Sequence, residues 1–292
     1  MEQLEGKVAV ITGGASGMGL AFARRFARDG MRLVLADVEV PALDAAVAEF
    51  EGEGVEVIGV ATDVSDAEAM DRLADAAFDR FGTVHVVCNN AGVSGSSAPV
   101  HELTTAEWAW VLGVNLWGVI HGHRVFQPRL VEQGEGHIVN TASMAGHTAF
   151  NGLAPYHATK HAVVALSEVA YHELAAAGSP VGISVLCPGF VNTRIAESDR
   201  NKPEELTRPL VPTDGEGAVD EEEVRAMIRD FFAMQQPPEQ VAELVRDAVV
   251  EQRFYVFTDD VWTSAIAERH EDIVTARNPR PRGSMFEESM RG

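Results

Sequence analysis

The sequence predicts an α/β protein, a parallel sheet covered by helices on both faces. Short apolar runs alternate regularly with amphipathic helical stretches through the first two-thirds of the chain. A glycine-rich turn, Thr12-Gly13-Gly14-Ala15-Ser16-Gly17-Met18-Gly19, joins the first apolar run to the first helical stretch. A third signal is Ser143 to Lys160, SMAGHTAFNGLAPYHATK, which runs into a long helix. Strands alternating with helices require crossover connections, and these place helices on both faces of a parallel sheet.

The elements follow in order. Residues 7–12, KVAVIT, read as the first strand, and the amphipathic stretch after the glycine turn ends at Gly30. Residues 32–37 and 55–63 are the next two strands, separated by the helix PALDAAVAEFEGEG. Ser65 is the expected cap of the next helix, with Glu68 completing a capping box. Residues 85–92 form the fourth strand, and TTAEWAWVLGVNLWGVIHGHRVFQPRLVEQG reads as one long helix capped by Thr104 or Thr105. Residues 136–143 are the fifth strand. The helix carrying Tyr156 follows, with Pro155 suited to its first turn, where the missing N–H costs nothing. Residues 181–189 are the sixth strand and 253–259 the seventh.

Beyond Phe190 the chain becomes polar, acidic and proline-rich. Residues 192–236 are expected to form a substrate lid containing the helix VDEEEVRAMIRDFFAMQ, and 279–292 a poorly ordered tail, all within a single domain spanning 1–292. Acidic residues occupy one face of that lid helix. Val224, Met227, Ile228, Phe231 and Phe232 occupy the other.

With 292 residues the chain can bury a large core; 46% hydrophobic and 23% charged residues are ordinary for a globular protein. A net charge of −21 argues against nucleic acid or an anionic membrane surface as partner, because both select basic patches. No signal-peptide pattern and no membrane-spanning apolar run stand out. Cys88 and Cys187 fall at the ends of separate strands and read as reduced and buried, which suits the cytoplasm.

Glycines after a strand and before a helix allow a tight turn whose free N–H groups accept a diphosphate, so Gly13, Ser16, Gly17, Met18 and Gly19 are candidate cofactor contacts. The doubly wound, Rossmann-type arrangement follows from that placement. Asp37, at the end of the second strand, stands where an acid binds the adenosine ribose hydroxyls and repels the extra phosphate of NADP. No Arg or Lys at 15, 16, 36 or 38 offsets that charge, which specifies NAD. Tyr156 and Lys160 share one helix face. Lowering a phenol pKa from about 10 to about 7 takes roughly 4 kcal/mol, which a cation about 4 Å away can supply at an effective dielectric near 20. Such pairs are common by chance, so this one gains weight only from its context.

Assembled, the sequence resembles the short-chain dehydrogenase/reductase family from Lys7 to about Arg194. The resemblance implies adenine contacts at Asp63 and Val64, and a sheet-centre Asn-Asn-Ala-Gly at 89–92, including Asn90, Ala91 and Gly92. It also implies a catalytic tetrad of Asn115, Ser143, Tyr156 and Lys160, and a nicotinamide-carboxamide stretch at Pro188, Gly189, Val191 and Thr193. In that reading Tyr156 is the acid/base, while Lys160 tunes it and binds ribose. Ser143 bonds the reacting oxygen, and Asn115 holds a water behind Lys160. No metal is required. The implied substrate is a secondary alcohol or ketone, bulky and apolar, closed in by Ser143, His147, Phe150, Tyr156, Phe190, Phe231 and Phe232. The alternatives are a carbonyl reductase and an idle nucleotide-sensing regulator of the same fold. Members usually pair through the Asn115 and Tyr156 helices, so a homodimer or homotetramer is expected. His121 and His123 lie on different helix faces, unsuited to one metal. His157 and His161 are expected at a surface or subunit contact, and Cys187 near the nicotinamide without a chemical role.

Overall fold

The structure, a computed structural model, describes residues 3–206 and 220–289. Seven strands, β1 (Val8–Thr12), β2 (Arg32–Asp37), β3 (Val57–Ala61), β4 (Val86–Asn89), β5 (His137–Thr141), β6 (Gly182–Cys187) and β7 (Tyr255–Phe257), form one sheet in the order β3-β2-β1-β4-β5-β6-β7. Every pairing is parallel. The winding direction reverses between β1 and β4, which opens a crevice at the carboxyl ends of those two strands.

The strand runs are apolar at successive positions because both sheet faces are covered. Ala9, Ile11, Leu33 and Leu35 pack with Phe22 and Phe26 of α1 (Gly17–Arg28) and with Leu43 and Phe50 of α2 (Val40–Gly52). Val8, Val10 and Val34 turn the other way, onto Met70 and Leu73 of α3 (Ala67–Phe81). The cap of α3 is Asp66, which accepts from Glu68 N, and not Ser65 as expected. Asp63 Oδ1 already takes both the N–H and the hydroxyl of Ser65, at 2.9 and 2.7 Å.

The stretch expected as one long helix is three pieces. α4 (Thr105–Leu112) starts from a full capping box between Thr104 and Glu107, a π-helical segment covers Gly113–Trp117, and α5 is Gly118–Gln133. The flanking glycines explain the close approach of this element to the sheet. A Cβ on Gly118 would stand 2.7 Å from Val64 Cγ2, and one on Gly122 would stand 2.0 Å from Asn89 Oδ1. The wide π turn carries Asn115 into the interior.

α6 (Ala154–Ala176) places Pro155 in its first turn, and its entry is conformationally demanding. Gly152 has φ 82° and Leu153 φ 51°, left-handed values that a leucine rarely adopts. After β6, 3-10 segments at Ile195–Asn201 and Glu204–Leu206 lead toward α7 (Glu221–Ala233). The middle of the expected lid, including the bounding glycines Gly215 and Gly217, lies outside the described residues. α8 (Pro238–Glu251) packs on α1, where Glu243 accepts from Arg25 at 2.6 Å. α9 (Thr263–Val274) follows β7.

The tail expected to be poorly ordered is tied down as far as Ser289. α10 (Met285–Ser289) sets Phe286 4.4 Å from Phe231 between ring centroids, and Arg280 and Arg282 pair with Glu268. No helix among the described residues is long and apolar enough to cross a membrane.

Candidate active site

The crevice at the β1/β4 reversal is a cleft, and most of the predicted cofactor residues line it. Gly13, Ser16, Gly17 and Met18 come from the β1–α1 turn, Asp37 from the end of β2, and Asp63 and Val64 from beyond β3. Asn90, Ala91 and Gly92 follow β4, while Pro188, Gly189, Val191 and Thr193 follow β6. Tyr156 and Lys160 form part of the same wall. Gly19 sits beneath the turn instead. A Cβ there would stand 2.0 Å from Gly13 O, so glycine is what lets α1 start under its own loop. Gly13, with φ 63°, brings its backbone against Ala91 Cα, which a Cβ would meet at 3.0 Å.

Thr12 fastens this floor together. Its Oγ1 accepts from Asn90 N at 2.9 Å and Ala91 N at 3.1 Å, so the ends of β1 and β4 share one hydroxyl. Asp37 is fixed in the same way. Its Oδ2 accepts from Ala15 N and its Oδ1 from Glu39 N, each at 3.1 Å, which holds the carboxylate beside the glycine turn. This shape, with close-packed glycines at a helix start and an acid at one end, fits a dinucleotide.

The four catalytic candidates converge, though not all in the expected geometry. Asn115 is fully buried, and both ends of its amide engage Val93: Oδ1 accepts from N and Nδ2 donates to O, each at 2.8 Å. The side chain is thus a strut between the π turn and the loop after β4. A Cβ on Gly92 would lie 3.4 Å from Asn115 Oδ1 and 3.7 Å from Lys160 Nζ, so glycine keeps open the space between them.

Ser143 Oγ accepts from Ala145 N at 3.1 Å and donates to Pro188 O at 3.5 Å, beside the Tyr156 phenol. Burial raises the phenol pKa, and the Ser143 hydroxyl beside it partly offsets that. The expected lowering of Tyr156 by Lys160 is absent. Lys160 Nζ donates to Thr141 O at 2.8 Å and stands 5.5 Å from the Tyr156 ring centroid. Burial brings the ammonium itself down to about 8, so it stays mostly charged at neutral pH and loses its positive field only above that value.

The substrate candidates divide. Phe190 packs edge-on against Phe231 and Phe232, with centroids 5.0 and 5.6 Å away, and Phe232 lines the cleft. Phe150 contacts His157 and Trp262. His147 turns the other way, toward β7: its Nε2 is 3.3 Å from Cys187 Sγ, and its ring lies against Tyr255 and Phe257. Cys187 is accordingly a partner of His147, its thiol pushed up to about 12 by burial. His157 is buried, contrary to the surface position expected. Its Nδ1 faces Ala145 O at 3.2 Å and Thr148 O at 3.1 Å, so it must donate there, stapling the loop between Ser143 and Tyr156. His161 is half-buried on the next turn, its Nδ1 2.9 Å from His157 O. His121 stacks on Trp117, while His123 Nε2 is 2.8 Å from Asn140 Nδ2. Among the described residues no three or more His, Cys, Asp or Glu side chains are grouped to hold a metal.

Several cleft residues escaped the sequence reading. Thr141, at the end of β5, receives Lys160. Glu39, Arg200 and Asn201 line the rim beside Asp37. Trp262 and Phe286 complete the aromatic cluster. Thr141 could have been found as the last residue of a strand facing the crevice, whereas Arg200 and Phe286 carry no local pattern.

The fold and site define a nicotinamide-dependent oxidoreductase, and comparison with known proteins gives the family. A model described as short chain dehydrogenase matches residues 7–204, and the chain belongs to that family. It is 38% identical over 272 residues to a 1-deoxy-11-beta-hydroxypentalenate dehydrogenase of Streptomyces exfoliatus, covering 92% of this chain and 89% of that one. It is 34% identical over 257 residues to a C alpha-dehydrogenase of Sphingobium sp., covering 88% and 81%. Among solved structures, a short-chain dehydrogenase/reductase from Burkholderia phymatum in complex with NAD superposes with a TM-score of 0.88 at 45% identity, covering 97% of this chain and all of that one.

Proposed function

We propose that this protein transfers hydride between NAD(H) and a bulky, apolar secondary alcohol or its ketone, with Tyr156 as acid/base. The observation that carries the cofactor choice is the Asp37 carboxylate, pinned on the glycine turn at the adenosine end of the cleft. The NAD complex of the Burkholderia phymatum relative supports it. The substrate class is supported by the aromatic cluster around Phe190 and by a relative named for dehydrogenating a hydroxypentalenate.

In this reading the glycine turn holds the diphosphate, Asp37 the adenosine ribose, and Asp63 and Val64 the adenine. Residues Pro188 to Thr193 hold the carboxamide, and Lys160 with Tyr156 the nicotinamide ribose. When bound, the nicotinamide supplies the hydride acceptor or donor. The chain's own work is placement and proton handling. Ser143, beside the Tyr156 phenol, holds the reacting oxygen within reach of it. Tyr156 takes the proton from an alcohol or returns it to a carbonyl. The space kept open by Gly92, between Asn115 and Lys160, gives the proton a route away from the phenol.

A panel of secondary alcohols and their ketones, run with NAD(H) and NADP(H) while following the absorbance of reduced cofactor, tests this. NAD turnover that rises with substrate apolar area is expected. Preference for NADP, or turnover of short primary alcohols alone, contradicts it. We also assign a homo-oligomer, on the exposed Trp117, Val169 and Tyr171 carried by the π segment and α6. A monomeric mass by light scattering at micromolar concentration would refute that.

A further inference from the structure

The strap after β6 carries two side chains across to the far rim of the cleft. Arg200 and Asn201 end the 3-10 segment Ile195–Asn201 and reach Glu39, two residues beyond the end of β2. Arg200 Nε donates to Glu39 Oε1 at 2.8 Å, Asn201 Nδ2 donates to the same oxygen at 2.9 Å, and Arg200 NH2 stands 2.7 Å away. The third nitrogen, NH1, donates to Arg194 O and Glu197 O at 3.1 and 3.0 Å. All three guanidinium nitrogens are therefore engaged. Asp37, Glu39, Arg200 and Asn201 line one stretch of the cleft.

A guanidinium is the side chain best shaped for a phosphate monoester, which it binds through two parallel hydrogen bonds. Here one lies at the same rim as the acid that marks the adenosine ribose, yet its fork is turned onto a carboxylate. Hydrogen bonds from Asn201 and Arg200 hold the Glu39 carboxyl below its ordinary range in spite of burial, so it stays charged at neutral pH. Arg194, the other arginine lining the cleft, is paired with Glu197, so an added phosphate would meet repulsion from Asp37 and no free donor on Arg200.

We propose that Glu39 is a cofactor-selectivity residue: by holding Arg200 it withholds from a ribose 2′-phosphate the guanidinium that would otherwise accept it. The inference rests on the reading of this cleft as a nicotinamide dinucleotide site with its adenosine ribose at Asp37. Asp37 and Glu39 then exclude the phosphate by different means. Asp37 repels it directly, and Glu39 occupies its receptor. The same contact fastens the strap to the β2 end, so the selectivity device and the closure of the adenosine rim are one structure.

The test is a double-mutant cycle on the full chain: the parent, Glu39→Gln, Arg200→Ala and the double variant. Dissociation constants for NADH and NADPH are read from quenching of tryptophan fluorescence, with 2′-AMP and 5′-AMP as competing fragments. Glu39→Gln keeps one neutral oxygen where Asn201 and Arg200 bond but removes the charge that holds the guanidinium against a competing phosphate. A rim ion pair contributes little to stability, so the fold should survive. Thermal unfolding checks this, and Glu39→Ala serves as a second variant. The NADPH-to-NADH affinity ratio should rise about tenfold in Glu39→Gln, the size of one charge-assisted hydrogen bond, and 2′-AMP should gain in parallel. Adding Arg200→Ala should abolish the gain. An unchanged ratio, or a gain that persists without Arg200, overturns the inference. A parent that binds NADPH more tightly than NADH overturns the NAD reading instead, and the coupling between positions 39 and 200 still decides whether Glu39 restrains Arg200.

Discussion

The two sides of the site proposed to face cofactor and substrate are made from different kinds of parts. The cofactor wall is largely backbone: Gly13 against Ala91, Gly19 beneath Gly13, and a threonine hydroxyl shared by two amides. The proposed substrate wall is an aromatic cluster drawn from separate elements, of which Phe232 lines the cleft. Phe190 follows β6, Phe231 and Phe232 sit on α7, Trp262 precedes α9, and Phe286 belongs to α10. A backbone cradle tolerates almost no change at its glycines, because an added Cβ would collide with main chain that cannot move aside. A ring cluster can repack, losing shape before it loses stability. One wall is thus suited to a ligand of fixed shape, and the other to a ligand whose shape can vary.

Tyr156 stands where the two walls meet, and its replacement has the largest expected effect on turnover. Tyr156→Phe keeps the ring and removes the transferable proton, so kcat should fall by about 10²–10⁴-fold while NADH still binds, weakened only by the lost ribose contact. A kcat within tenfold of the parent's would remove Tyr156 from the proton step.

The next effect separates the walls by acid. His137, on β5, is buried against Ser184, and burial pushes its pKa down to about 3; His123, behind the same strand, is lowered for the same reason. A histidine held neutral in the fold but protonated near its ordinary pKa when unfolded stabilises the fold only above that ordinary value. Stability is then lost as pH falls from about 6.5 toward 3. Between pH 7 and 4.5 this amounts to about 2–3 kcal/mol per fully buried neutral histidine. Urea unfolding at the two values should show the loss, reduced in His137→Gln. An equal loss in that variant would place the acid sensitivity elsewhere.

The same contrast explains what the sequence made legible. The seven strands and the Gly13–Gly19 turn could be read because their constraints are local: periodicity, a required positive φ at Gly13 and Gly17, a close approach at Gly19. Tyr156 and Lys160 were visible as two residues on one helix face. Their electrostatics were not, because the direction of the ammonium depends on Thr141 O, on another element. The π segment at Gly113–Trp117 was missed although two glycines, Gly113 and Gly118, bracket it. The tail was misjudged from its composition, since the contact that orders it joins Phe286 to Phe231 across a long stretch of chain. His147 lay in the right loop, but its orientation is set by Cys187 and the β7 rings.

The smallest expected effect tests the division between the walls most directly. In the double variant Phe231→Ala, Phe232→Ala, NADH affinity and kcat/KM are measured for one ethanol-sized and one aryl secondary alcohol. The account predicts an NADH dissociation constant within about twofold of the parent's. It also predicts a kcat/KM for the aryl substrate that falls about tenfold or more beyond the loss for the small one, since one well-buried pair of CH₂ groups is worth about that much. Equal losses for both alcohols, or NADH affinity falling in step with them, would contradict it and leave α7 as packing for the cofactor half.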